Sequence, residues 1–539
     1  MKMRTISAFL AGGLAIAQLL SGGAQAAAPD AQTVVMTDHG AVRGAIRDGV
    51  REFKGIPYAA PPTGELRWKL PQPFKPWTGT LDATQYGSAC PQLSRYGLTE
   101  ASENEDCLHI NVTAPYSGKG ESARKRPVIV WIHGGAFVGG SSALYPLDIM
   151  AKSGDAVVVS LNYRIGVFGF MPHPQFGKDH NGGYGLEDQR AALRWVKRNI
   201  AAFGGDPNNV TLAGESAGAS SVCMHILAPK ETTGLFHKAI VQSGGCVHTL
   251  KSVAENSAKG TSVAEKVGCL DPATAPACMR TKAVNDLLTA ASEVGGSDLL
   301  AYAPVFGTKT VPLQAADAVA KGKFVKVPIM NGGNRDELRL YVAYSQATHP
   351  VTDANYRDKL ATEYGEVNAD AVLAQYPLKD YSSAPAAFGT VTSDFTPNNG
   401  LNNCIYLQGG KMLGKSVKVY EYVFADRAAP PVTTDPGFEM GAVHSSELPY
   451  QFLHYSNTIK LDGPDLAAPS QQLADQMMAY WTSFAKTGMP SAPNSPAWGT
   501  FKADGTVLKF DPGKVGNFDA SAQHKCGFWK TLYPKILTE

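Results

Sequence analysis

The stretch Val210-Thr211-Leu212-Ala213-Gly214-Glu215-Ser216-Ala217-Gly218-Ala219-Ser220 decides how this chain is read. Its first four residues form an apolar, non-alternating run, the pattern of a strand covered on both faces. Its last four are small and open a helix. Gly214 and Gly218 frame Ser216 in G-x-S-x-G spacing. A strand that turns at once into a helix needs glycine on both sides of the tip, so that helix and strand can approach closely, and it holds the tip residue in strained backbone geometry. A serine at the tip offers its hydroxyl to a base, and the N–H of Ala217, at a helix N-terminus, favours negative charge. The five-residue pattern alone arises by chance in a chain with 55 glycines, and it is the strand before it and the helix after it that give it weight.

Further strands lie on either side. Val128-Ile129-Val130-Trp131-Ile132 reads as one, and it leads into His133-Gly134-Gly135-Ala136-Phe137, where small residues let backbone N–H groups turn toward a ligand, as an oxyanion site requires. Ala156 to Leu161, Ala239 to Gln242 and Val419 to Val423 are further strand runs. Tyr184 to Phe203 carries Leu186, Ala191, Leu193, Trp195, Val196 and Ile200 at helical spacing. Strands alternating with helices make βαβ units, so the expected fold class is α/β, with a mostly parallel central sheet, helices on both faces and ligands at the carboxyl ends of the strands.

The composition fits such a protein. Of 539 residues 44% are apolar, enough for a large core, and 49 Lys+Arg against 47 Asp+Glu leave no basic footprint for nucleic acid. Residues 1–26 are set apart as a cleaved secretory signal: Lys2 and Arg4 are basic, Ile6 to Leu20 is apolar, and Ala24-Gln25-Ala26 is a small-x-small cleavage pattern. The apolar run is shorter than the roughly 20 residues that span a bilayer, so no membrane anchor is expected. No linker or repeat divides the remainder, and residues 27–539 are expected to form a single domain, exported to the periplasm or secreted.

Export makes disulfides more plausible than metal sites for the eight cysteines, and no metal ligand pattern is found. Cys90 with Cys107 and Cys269 with Cys278 enclose short loops and are candidates for local bridges. Cys223, two helical turns beyond Ser216, is expected to be a buried free thiol, with a bridge to Cys246 as the alternative.

Phe53-Lys54-Gly55-Ile56-Pro57-Tyr58-Ala59, Glu105-Asp106-Cys107-Leu108, the His133 loop and the block from Phe203 to Gly218 together resemble the type-B carboxylesterases, relatives of the cholinesterases and of bacterial para-nitrobenzyl esterases. The resemblance runs from about Val34 to Pro534 and implies an α/β-hydrolase fold with a serine, acid and base in that chain order. Asn334-Arg335-Asp336-Glu337 is similar to the family's acid loop and makes Glu337 the acid, although Leu338 stands where the family usually has glycine. Gly441-Ala442-Val443-His444, before Ser445-Ser446-Glu447, resembles its base loop and makes His444 the base; His454 is the nearest competitor. The resemblance further implies an oxyanion hole from the N–H groups of Gly135, Ala136 and Ala217, supporting positions beside the triad for Glu215 and Ser243, the two local bridges, and a third between Cys404 and Cys526.

The expected function is therefore hydrolysis of a small-molecule carboxylic ester through an acyl-enzyme on Ser216, with no metal or organic cofactor. The segment between Cys90 and Cys107 has no tryptophan and only Tyr96 as an aromatic, so the cation–π platform that cholinesterases place there is missing. A lipase on the same scaffold and a non-catalytic adhesion module are the alternatives. The shortness of that segment disfavours a large lid, and the presence of Ser216, Glu337 and His444 disfavours loss of catalysis.

Overall fold

In the computed structural model the described residues are 33–94, 100–116, 118, 125–456 and 461–538. The proposed signal segment and Tyr96 lie outside them. Among these residues eleven strands form one mixed sheet. In chain order they are β1 (Ala45–Arg47), β2 (Val50–Pro57), β3 (His109–Pro115), β4 (Arg126–Ile132), β5 (Val157–Leu161), β6 (Gly205–Glu215), β7 (Lys238–Gln242), β8 (Ile329–Asn334), β9 (Val419–Phe424), β10 (Thr506–Phe510) and β11 (Gly516–Asp519). Their order across the sheet is β11-β10-β9-β8-β7-β6-β4-β5-β3-β2-β1. The run from β10 to β5 is parallel, and antiparallel pairs extend it at both edges.

The apolar runs without alternation become the central strands because both faces are covered. Every residue of β4, β5, β7 and β9 is buried. Along β4, Val128, Val130 and Ile132 enter one core with Leu186 and Trp195 of helix α1 (Tyr184–Asn199) and Val222 of helix α2 (Ala217–Ile226). Ile129 and Trp131 enter the opposite core with Met477 and Trp481 of helix α3 (Ala468–Thr487). The sheet is thus sandwiched between helices, as the α/β reading expects.

Four disulfides tie the chain: Cys90–Cys107, Cys223–Cys246, Cys269–Cys278 and Cys404–Cys526. The second corrects the expectation of a free thiol at Cys223. The loop after β7 runs directly against α2, so closely that a Cβ on Gly244 would lie 2.5 Å from the Cβ of Ala219. This brings the two Cα atoms to 5.0 Å, within the range a disulfide spans. That proximity depends on tertiary packing, not on spacing in the chain. Among the described residues no helix is long and apolar enough to cross a membrane.

Candidate active site

The register of the sheet aligns the carboxyl ends of its central strands: Glu215 of β6 sits opposite Gln242 of β7, which sits opposite Gly332 of β8, and Asn334 sits opposite Phe424 of β9. The predicted residues extend from these ends. Ser216 follows β6 with φ 58° and ψ −121°, its N–H donating to the Gln242 carbonyl at 2.9 Å, and α2 begins at the next residue. The flanking glycines are required by contact. A Cβ on Gly218 would lie 2.0 Å from the Ile132 carbonyl oxygen, and one on Gly214 would lie 2.6 Å from the Gly218 carbonyl carbon. Both neighbours are backbone, so neither can yield.

The loop after β4 wraps the elbow. Gly135, Ala136 and Phe137 all have positive φ, of 112°, 53° and 62°, and the Gly135 carbonyl accepts from the N–H groups of Val138 and Gly139 at 3.0 Å each. A Cβ on Gly134 would fall 2.6 Å from Oε2 of Glu215 and 3.1 Å from Cβ of Ser216, so this loop and the serine share one small space. His133, at the start of this loop, is buried. It stacks on Tyr163 at 4.5 Å, and burial pushes its imidazole down to about 4, outweighing its bond with the Gly134 carbonyl.

Glu337 lies three residues beyond β8 and is fully buried. Its Oε1 accepts from Ser243 Oγ at 2.6 Å, from Asn334 N–H at 2.7 Å and from Tyr406 Oη at 3.3 Å, while its Oε2 lies 2.6 Å from Nδ1 of His444. Acid and base loops are fastened to each other through the backbone: Asp336 N–H donates to the Ala442 carbonyl, His444 N–H to the Glu337 carbonyl and Ala442 N–H to the Asp336 carboxylate, at 2.8, 3.1 and 3.0 Å. Leu338, where glycine was expected, has φ −88° and ψ 1°, ordinary values that a side chain tolerates; its N–H donates to Ser393 Oγ at 2.8 Å. His454 is engaged elsewhere, with the Gly463 carbonyl at 2.9 Å and Asp465 at 3.8 Å.

Glu215 lies against the imidazole itself, its Oε1 3.2 Å from Nε2 of His444 and accepting from Ser445 Oγ at 3.0 Å. Burial raises the Glu215 carboxyl above the usual carboxylate range against the pull of His444. Burial works against a charged His444, yet Glu215 and Glu337 outweigh it and hold the imidazole above its ordinary value. A third buried carboxyl, Glu447, is also raised by burial; it accepts from Asn334 Nδ2 at 2.6 Å and Gln242 Nε2 at 3.2 Å. Three carboxyl groups therefore crowd one histidine, and a proton is favoured among them.

Tyr406, Asn334 and Ser445 belong to this arrangement and sequence reasoning gave them no role; Tyr341 belongs to it too. Tyr341 shares a side-chain hydrogen bond with Ser216 and sits 5.6 Å, ring to ring, from His444. Only its place in the segment after Glu337 could have drawn attention to it. A cavity of about 630 Å³ opens onto the group and is lined by Ser216, Ala136, Ala217, Met224, Leu338 and Tyr341 among others. Hydroxyl, imidazole and carboxylate at one end, backbone N–H groups beside them and a mostly apolar cavity suit acyl transfer.

Comparison with known proteins points the same way. The profile of the Carboxylesterase family matches residues 31–529. The fumonisin B1 esterase of Sphingopyxis macrogoltabida is 34% identical over 495 residues, covering 89% of this chain and 87% of that protein. The para-nitrobenzyl esterase of Bacillus subtilis (strain 168) is 35% identical over 495 residues, covering 86% and 92%. The acetylcholinesterase of Bungarus fasciatus is 30% identical over 547 residues, covering 93% and 87%.

Proposed function

The chain belongs to the carboxylesterase family, a family of carboxylic ester hydrolases with the α/β-hydrolase fold, and from that premise we propose that it cleaves its ester through an acyl-enzyme on Ser216, with His444 as general base and Glu337 as the acid that orients it. The observation that carries this reading is the 2.6 Å pair between Glu337 and His444 Nδ1, beside a serine whose cavity also exposes Ala136 and Ala217. Because Glu337 takes the Nδ1 proton as a hydrogen bond, Nε2 is the nitrogen that receives the Ser216 proton, and to do so it turns from Glu215 Oε1, 3.2 Å away, to Ser216 Oγ.

Ser216 Oγ then attacks the ester carbonyl carbon, and the oxygen that becomes negative is held by the N–H groups of Gly135, Ala136 and Ala217. Each such donor is worth roughly two to three orders of magnitude in rate. The imidazolium gives its proton to the leaving alcohol, and water, deprotonated by the same Nε2, releases the acid. Ser243, Asn334 and Tyr406 act by holding Glu337 in place rather than by touching substrate. Unbroken sheet pairing from Ala45 to Asp519 and the family match over residues 31–529 support reading residues 27–539 as one domain. Four disulfides support export after removal of residues 1–26.

The test is a sulfonyl fluoride or organophosphate probe applied alongside a panel of nitrophenyl esters of increasing acyl length. One equivalent of adduct on Ser216 with complete loss of turnover is expected, and Ser216→Ala is expected to be neither labelled nor active. Turnover that survives full labelling refutes the assignment.

A further inference from the structure

An imidazole apart from His444 borders the cavity. His248 lies in the loop after β7 and lines the cavity, as do Met224, Leu250, Asn399 and Gly400. Three neighbours fix how it stands. Its Nδ1 bonds the Gly245 carbonyl, which can only accept, so Nδ1 carries the proton. Its Cβ, Cγ and Nδ1 flank packs on Gly400 so tightly that a Cβ on that glycine would lie 2.8 to 2.9 Å away. The loop itself is tethered two residues earlier by the Cys223–Cys246 bridge to α2. The ring edge left over is the one that bears Nε2, for which no partner exists among the described residues.

Burial pushes this imidazole below its ordinary value, so at neutral pH it is uncharged and Nε2 presents a lone pair. Asn399 stands beside Gly400 in the chain and also lines the cavity. Its Oδ1 is occupied by the Leu401 N–H at 2.8 Å, which leaves its amide N–H₂ as donor. An acceptor and a donor that line the same cavity suit a hydroxyl group, which both gives and receives a hydrogen bond. Such a site discriminates because a substrate without the hydroxyl leaves these polar groups unpaired.

Building on the proposed Ser216 mechanism, we propose that His248 determines specificity, its Nε2 selecting esters that carry a hydroxyl on the acyl or alcohol arm lying beside it. The bond is made equally before and during the chemical step, so it acts on KM more than on kcat.

The experiment compares two matched pairs of esters, 4-nitrophenyl butyrate with 4-nitrophenyl 3-hydroxybutyrate, and ethyl butyrate with 2-hydroxyethyl butyrate, each corrected for its rate with hydroxide. The expected result is a five- to tenfold higher kcat/KM for the hydroxylated member of at least one pair, about the value of one neutral hydrogen bond, and expressed in KM. His248→Phe brings that ratio to about one, and His248→Gln, whose amide oxygen still accepts, restores part of it. A merely structural role would instead slow both members of a pair alike. The proposal is overturned by equal rates in both pairs with the wild-type enzyme, or by a preference that survives His248→Phe. Activity remaining in Ser216→Ala would fault the mechanism itself, and it is measured on the same esters so that the two failures are distinct.

Discussion

Glu215→Gln isolates the electrostatics of the site, because the amide keeps the shape and can still accept from Ser445 while losing the charge beside His444. The pair stands 3.2 Å apart. Coulomb's law at that distance gives about 1 kcal/mol in water and about 5 kcal/mol at an effective dielectric of about 20. Both figures require an ionised Glu215, and its carboxyl, raised by burial to about 8, gives up its proton before His444, held at about 9, gives up its own. The smaller one, with the full screening of bulk water, is the floor, and it corresponds to about one pH unit. The direction follows from the roles. His444 must be neutral to act as a base, its imidazole is held up by its carboxylates, and activity is lost as pH falls through its pKa. Removing the Glu215 carboxylate lowers that pKa, so the acid limb of the kcat/KM–pH profile moves to lower pH, by about one unit or more. The assay is the full profile on one neutral nitrophenyl ester for both proteins. An acid limb that stays in place, or moves upward, refutes the account of the three-carboxyl cluster.

Other outcomes follow from the same geometry. Ser243→Ala removes the 2.6 Å donor to Glu337 and is expected to lower kcat/KM by roughly 10- to 100-fold, since hydrogen bonds to a charged group are worth about 1.5 to 3 kcal/mol; steady-state kinetics at a temperature well below a modestly lowered thermal midpoint check it. Replacing Cys404 and Cys526 by alanine should lower stability more than replacing Cys223 and Cys246, because separations of 122 and 23 residues correspond to about 5 and about 3 kcal/mol in the loop-entropy relation; guanidinium midpoints under non-reducing conditions decide the order. Acetylcholine should be turned over more slowly than a neutral acetate ester of equal length, for want of a tryptophan between Cys90 and Cys107, and a faster saturable hydrolysis of acetylcholine contradicts this.

What could be read from the chain follows the range of the interactions concerned. The elbow at Ser216 and the loop at Gly135 and Ala136 are local events, written in small residues within a few positions of a strand end, and backbone sterics alone make them legible. The strands were visible for the same reason, since burial on both faces removes alternation. Glu337 and His444 are different: they come to the same end of the sheet as Ser216 only through the register of β6, β7, β8 and β9, so family resemblance and not periodicity singled them out from other acids and 12 histidines. The bridge at Cys223 was only the alternative reading, and the approach of Glu447 to Glu215 and Glu337 had no signal at all. Each depends on how closely a helix or loop approaches its neighbour, and on burial, which decides where protons reside.

Ser216 occupies a backbone conformation that residues with side chains rarely adopt, with φ 58° and ψ −121°. Such a position costs of order 1 to 3 kcal/mol for any residue but glycine. The fold would accordingly be firmer with glycine at this one position and would then have no nucleophile. Selection for turnover and selection for stability pull in opposite directions at residue 216, and the serine persists because the surrounding sheet and helix over-determine its conformation.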